Sequence, residues 1–365
     1  MTTIRPLERA DLPEAVRLYV LVMREGSTTP APELESFFAR TLLDQPWADP
    51  ELPSLVAVDG DEIVGFIGSN VRRMTFDGRP VRMVCSAHLV SHPRVRSRAI
   101  GAKLMKTLLD GPQDLTITDG ATDAVRRMWE AFGGHVVHLG VLSFVRLFRP
   151  WSLGSDLLLE RRISRRLAPP VRGLSRGLDR VTELAAPRRL RPERPSVASE
   201  PLTPALLLAH AESVAAPARL RTAYDAGYVS WLFDELRRVE ARGTLWADGV
   251  PRGPLWAELV SSDGRVDGWY VCHLRRGGFC RVLQFASTPR GADTVFAQLS
   301  FRARELRAAA LYGRLEPRLV GPVTASRCLI RPSDGRLLVH ARDAELAGAV
   351  RAGDAFLTRM DGEWW

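Results

Sequence analysis

Apolar residues recur along this chain with two periods, and each marks a different kind of element. Thr2 to Glu8 reads as a first strand. Asp11-Leu12-Pro13-Glu14 then combines an acidic N-cap, a first-turn proline and a capping-box glutamate, predicting a helix from about Leu12 to Arg24. A second helix is expected over Glu33–Leu43. Strands follow over Ser54–Val58, Ile63–Met74 and, after the Asp77-Gly78 turn, Val81–Val90. Ile100, Leu104, Met105 and Leu108 repeat at helical spacing, and that helix stops near Asp110-Gly111-Pro112. Leu115–Thr118 reads as a strand, Thr122–Phe132 as a helix ended by Gly133-Gly134, and Val136–Leu147 as one long strand. Hairpin-joined strands followed by helix-joined strands indicate an α+β fold with mixed, mostly antiparallel sheets.

A similar order recurs from Pro201 onward. Helices are expected over Thr203–Val214 and Leu220–Leu236, then strands over Gly243–Ala247, Leu255–Val260, Gly268–Leu274 and Cys280–Ala286. A helix over Asp293–Arg307, strands over Ala309–Leu315 and Leu337–His340, and a closing helix over Ala344–Met360 complete the series. Three regions result: 1–150, a linker at 151–199, and 200–365.

The richest stretch chemically is His88 to Leu108. A strand ends at Leu89, Val90 and Ser91, Pro93 breaks it, and small residues (Ser97, Ala99, Gly101, Ala102) lead through Ile100 into a helix. The first N–H groups of a helix lack partners and its dipole favours negative charge, so a phosphate group fits there. Arg94, Arg96, Arg98, Lys103 and Lys106 add the cations such a ligand needs. The alternative is an ordinary strand-to-helix crossover with a solvated basic face.

At 365 residues with 45% hydrophobic content, the chain has the length of two domains and the composition of a globular protein. Cys85, Cys272, Cys280 and Cys328 are too dispersed for a CxxC site, and no HxxxH pair sits on a helix, so no metal is expected. The lack of a signal-like or membrane-spanning run predicts a cytoplasmic location. The net charge of +9 is unevenly spread: eleven arginines against four acidic residues fall between Glu160 and Pro195. No nucleic-acid motif accompanies them, so DNA is not an expected partner. Within the linker, Leu157, Leu158, Leu159, Ile163 and Leu167 form one amphipathic piece. In another, Leu174, Leu178 and Val181 lie on one helical face and Arg172, Arg176 and Arg180 on the opposite one. The choices are a helix packed on its own protein with a solvated arginine face, or peripheral contact of residues 160–195 with an anionic membrane or an RNA.

The order of elements up to Pro150, with Arg96-Ser97-Arg98-Ala99-Ile100-Gly101-Ala102 at the turn, resembles the GNAT superfamily of acyl-CoA-dependent N-acyltransferases. Arg96 and Gly101 match that family's Arg/Gln-x-x-Gly-x-Gly/Ala pattern. Ala99 stands where its first glycine belongs, and alanine tolerates a helical backbone but not a positive φ. Met128-Trp129-Glu130 resembles the segment around the family's usual tyrosine, with Trp129 in its place, and an indole cannot act as a proton donor to a leaving thiolate. The second half resembles a second GNAT-type domain, as in mycothiol synthase and Fem-type aminoacyl transferases. Its turn, Ser287 to Asp293, lacks the pattern, so it is not expected to hold CoA.

The resemblance implies acetyl-CoA or another acyl-CoA as co-substrate, bound by Leu89, Val90 and Ser91 of a splayed strand, by Arg96 to Ala102, and beside Trp129. It implies transfer to an amine of a small-molecule acceptor held between the halves. A non-catalytic acyl-CoA-binding protein and a Fem-type aminoacyl transferase are the alternatives. For the proton path the candidates are Cys85, His88 and Asp119, with Tyr224 and Tyr228 available if the second half closes over the thioester. Strand alternation places Cys85, Ala87, Leu89 and Ser91 on one face and Ser86, His88 and Val90 on the other.

Overall fold

The structure, a computed structural model, describes residues 2–23, 32–155, 168–185, 191–215, 217–238, 253–333 and 335–360. Its class is the expected α+β: two mixed, mostly antiparallel sheets with helices on their faces.

The first sheet is built from β1 (Thr2–Pro6), β2 (Leu55–Asp59), β3 (Glu62–Phe76), β4 (Arg79–Ser91) and β5 (Leu115–Ala121), side by side in chain order. Helices α1 (Leu12–Met23) and α2 (Pro32–Phe38) cover one face, and α3 (Ile100–Leu109) covers the other. Ile100, Leu104 and Leu108 of α3 drop into a cluster with Ala57, Ile67 and Val84, each buried side chain stabilising by roughly 1.5–3 kcal/mol. Gly65 permits this approach, since a Cβ there would lie 2.7 Å from Ile100 Cγ2. After α4 (Asp123–Ala131), the single strand expected over Val136–Leu147 is two. β6 (His135–Val136) stays in the first sheet, a turn at Leu139–Val141 redirects the chain, and β7 (Leu142–Leu147) joins the second. At that turn Gly140 lies against Leu337, where a Cβ would come within 2.5 Å.

The second half contributes α5 (Ala168–Ala185), β8 (Ala198–Pro201), α6 (Pro204–Ala215), β9 (Leu220–Thr222) and α7 (Ala226–Arg238). After these come β10 (Leu255–Ser262), β11 (Arg265–Leu274), β12 (Phe279–Ser287), α8 (Ala292–Glu305), β13 (Ala310–Arg314) and α9 (Val320–Ala325). The last elements are β14 (Leu329–Pro332), β15 (Arg336–Ala341) and α10 (Ala344–Ala352). Two expectations are corrected here. Leu220–Thr222 is a strand, because it pairs with Met74–Phe76 of β3 instead of starting the helix. The closing helix stops at Ala352, where Gly353 takes a positive φ of 88° and the chain returns beside Leu220. β14 was not foreseen. The strand expected over Gly243–Ala247 and the amphipathic piece from Leu157 to Leu167 lie outside the described residues.

The order of the second sheet is β14-β7-β13-β12-β11-β10-β8, and that of the first ends β5-β15-β6. The halves thus exchange strands: β7 is gripped between β13 and β14, and β15 between β5 and β6. They also share a core. Val56, Phe66 and Val90 of the first sheet belong to one cluster with Leu259, Trp269, Val271 and Leu283 of the second and Tyr228 and Leu232 of α7. Among the described residues, no helix is long and apolar enough to cross a membrane.

Candidate active site

β4 and β5 run parallel for only three residue pairs, Met83 to Leu115, Val84 to Thr116 and Cys85 to Ile117. Beyond these β4 continues to Ser91 and β5 to Ala121 without pairing to each other, so the sheet opens into a wedge. Backbone groups of β4 on the wedge side are available to a ligand, which a continuous sheet would not allow. The opening leads towards α3. Gly101 in its first turn has open space beside it: an added Cβ would find only Ser91 Oγ, at 3.9 Å. An anion seated there would meet the free N–H groups of the first turn.

Ala99 caps this helix with φ 55° and ψ 34°, the left-handed conformation that a methyl group disfavours. The backbone of Pro93–Arg98 forms a 3-10 turn leading into it, and Arg94 pairs with Glu62. The side chains of Arg96, Ser97 and Arg98 lie outside the described set. Ile100 is buried under the sheet, while Ala102 is half-exposed on the first turn.

The wall of the wedge is shaped by a bulge. Phe66 pairs with Val90 and Gly68 with Ala87, so Ile67 alone faces His88 and Leu89, and His88 takes φ 57°. This breaks the alternation expected along β4. Cys85 packs with Met83, Ile117 and Val339 on the face away from α3, whereas Leu89 packs towards α3, so these two do not share a face. Val90 and His88 both turn towards α1 and α2. The His88 ring stacks on Phe38 with centroids 4.8 Å apart and meets the edge of Tyr19 at 5.2 Å. Burial lowers its pKa to about 4, so it is a neutral imidazole at physiological pH.

Asp119 sits two residues beyond the last pairing of β5 with β4, buried, with an oxygen 3.2 Å from Nη1 of Arg314. Arg314 is also buried and donates to the Leu357 carbonyl at 2.8 Å. β12 and β13 of the second sheet likewise pair over three residues, ending at Arg281 and Tyr312, and Arg314 stands two residues beyond that end. The pair therefore joins equivalent positions of the two wedges. Asp119 is engaged in a structural ion pair, and Cys85 is a fully buried residue of a hydrophobic cluster. Trp129 is fully buried among Met105, Leu109, Ala121 and Leu338, its indole N–H without an acceptor among the described residues.

The sequence reading missed a polar patch on the same face as His88. Asn70 lies opposite Cys85 and Arg72 opposite Met83 on β3. Both are buried, as is Gln45. Arg72 Nη1 donates to the Val71 carbonyl at 2.9 Å and to Gln45 Oε1 at 3.3 Å, yet its Nε and Nη2, both polar atoms of the Asn70 amide, and Gln45 Nε2 have no hydrogen-bond partner among the described residues. So many buried, unsatisfied groups in one place mark a site for water or ligand. The signal in the sequence is a polar pair on a strand face otherwise carrying Phe66, Gly68 and Met74. The second half covers the patch: Tyr228 stacks on Trp47 at 3.5 Å with the Arg72 guanidinium 5.5 Å from its ring centre, and the Tyr224 hydroxyl accepts from Gln284. Among the described residues no cluster could hold a metal ion.

Residues 3–114 match the family model of the acetyltransferase (GNAT) domain, which covers β1 through α3 with the bulge and the helix turn. Comparison with curated protein sequences finds no match. Solved structures of similar fold include a protein of unknown function from Enterococcus faecalis V583, a probable N-acyltransferase. It superposes with a TM-score of 0.57 at 10% identity, over 93% of this chain and 73% of its own. A GCN5-related N-acetyltransferase from Kribbella flavida gives 0.56 at 16% identity, over 94% and 72%. Saccharomyces cerevisiae N-myristoyltransferase with bound myristoyl-CoA gives 0.54 at 11% identity, over 93% and 78%. The wedge, the bulge and the helix N-terminus of the first sheet all lie in or beside the stretch that matches an acetyltransferase (GNAT) domain, and the chain as a whole shares the fold of these acyltransferase structures.

Proposed function

We propose that the protein is an acyl-CoA-dependent N-acyltransferase that moves an acyl group to the amine of a small-molecule acceptor bound between the two halves. The observation carrying this reading is the wedge after Cys85 and Ile117, which ends at the unobstructed first turn of α3. The pyrophosphate would sit on the N–H groups of Gly101 and Ala102. The pantetheine would run along Leu89, Val90 and Ser91, hydrogen-bonded to backbone freed by the splay. The thioester then reaches the face carrying Asn70, Arg72 and Gln45, whose unpartnered groups are free to orient an acceptor.

Asp119 is held by Arg314 and neutral His88 is stacked on Phe38, so neither is placed to take the amine's proton. Rate enhancement would rest on positioning and on backbone N–H groups of β4 facing the developing oxyanion. The test is calorimetric titration with acetyl-CoA and a long-chain acyl-CoA, repeated on Gly101→Glu. Micromolar binding that the variant loses, with free thiol released on adding amines, is the expected result. Absence of binding by the unmutated protein would overturn the reading.

A further inference from the structure

Helix α5 is built inside out. Its polar residues Ser175, Asp179 and Thr182 face the protein. Asp179 accepts hydrogen bonds from the backbone N–H groups of Trp151 at 2.9 Å and Ser152 at 3.1 Å, and from the Ser152 hydroxyl. Thr182 accepts from the Trp151 indole at 2.8 Å, and Ser155 donates to Ser175 at 3.1 Å. Farther along, Glu183 pairs with Arg304 of α8. The apolar stripe consequently points to solvent: Leu174 is 68% exposed, Val181 64%, Leu184 83% and Leu178 36%. With Trp151, these are five of the nine large hydrophobic side chains exposed among the described residues, so the patch is concentrated rather than scattered. Exposed Arg176 and Arg180 flank the stripe on the side of Leu184.

We propose that α5 is a membrane-docking helix that lies in the plane of an anionic bilayer, with Leu174, Leu178, Val181 and Leu184 among the acyl chains and the flanking arginines at the headgroups. The occupant follows from charge and chemistry. Eleven arginines against four acidic residues between Glu160 and Pro195 attract a negative surface. The same charge repels a second copy of this chain. Aliphatic side chains match lipid tails, whereas an RNA would be met by stacking rings. The hydrogen bonds to Asp179 fix the helix with its apolar face outward, a cost that is recovered when that face enters a bilayer.

The test is co-sedimentation of the full chain with vesicles of pure phosphatidylcholine and with vesicles of about two parts phosphatidylcholine to one of phosphatidylglycerol. Binding to the mixed vesicles and not to the neutral ones is expected. Val181→Asp with Leu184→Asp should abolish it, and Arg176→Glu with Arg180→Glu should weaken it at least tenfold, taking about 1 kcal/mol per arginine. All four positions are exposed, so both variants should melt like the unmutated protein, and acyl-CoA binding at α3 should be unchanged. The proposal falls if the chain ignores anionic vesicles, or if both variants bind as well as the parent. It also falls if the chain is an oligomer that Val181→Asp disperses, or if it retains RNA and no lipid.

Discussion

Ala99 holds a left-handed backbone at the N-cap of α3, where a β-carbon crowds the following carbonyl at a cost of roughly 1–2 kcal/mol. Ala99→Gly removes that crowding, so we expect the variant to be more stable by about 1 kcal/mol in urea unfolding and to bind acyl-CoA no more weakly. Parent and variant of equal stability would show that the turn relaxes out of the left-handed region in solution. His88 makes a pH-dependent contribution. Its folded pKa, about 4, lies below the ordinary 6.5, so below pH 6.5 the unfolded chain takes up a proton that the folded one refuses. The stability of the neutral folded form is fully present above about pH 6.5 and falls as pH drops towards 4, by roughly 3 kcal/mol. His88→Phe should therefore flatten the decline of the urea midpoint between pH 7.5 and pH 4.5, and a decline as steep as the parent's would assign it to other groups. At this scale the sequence was informative about the turn before α3 at Pro93 and Gly101, which act through their own backbone preferences, but not at Ala99, which takes the positive φ that its methyl group disfavours. It was uninformative about Asp119, since its partner Arg314 is 195 positions away in the chain.

At the level of elements, the Asp119–Arg314 pair ties β5 to β13 at the open ends of both wedges. Removing the closer carboxylate leaves the buried Arg314 only Glu316, at 3.8 Å, so Asp119→Asn should cost up to roughly 3–5 kcal/mol. The double change Asp119→Leu with Arg314→Met should recover part of the loss. Urea unfolding of the two singles and the double provides the check, and additive losses would mean the residues are not coupled. Most strands and helices were legible because their apolar periods are local. Where the reading failed, a distant partner decided. Leu220-Arg221-Thr222 is too short to carry a period of its own, and the edge of β3 makes it a strand. The run from Val136 to Leu147 is strand-like throughout, but its two ends belong to different sheets, which no local pattern encodes. The bulge at His88 shifts β4 by one position, and nothing in the residues themselves marks it.

Across the whole molecule the exchange of β7 and β15 makes the halves mutually dependent. A fragment of residues 1–150 would retain the matched family region, yet it would leave β7 unpaired and β5 with a bare edge where β15 belongs. We expect that fragment to lack a cooperative thermal transition and to aggregate, and a sharp melt with retained acyl-CoA binding would contradict the interlock. The interlock also has a temporal side. The wedge is bounded by β4 and β5, complete by residue 121, but its outer support arrives only with residues 336–341. At ribosomal speeds of about 5–20 residues per second, the nascent first sheet waits some 10–40 s for its missing strand. During that interval an open β-edge and half of a shared core stand exposed, so production of this protein should depend on chaperone supply more than its size alone would suggest.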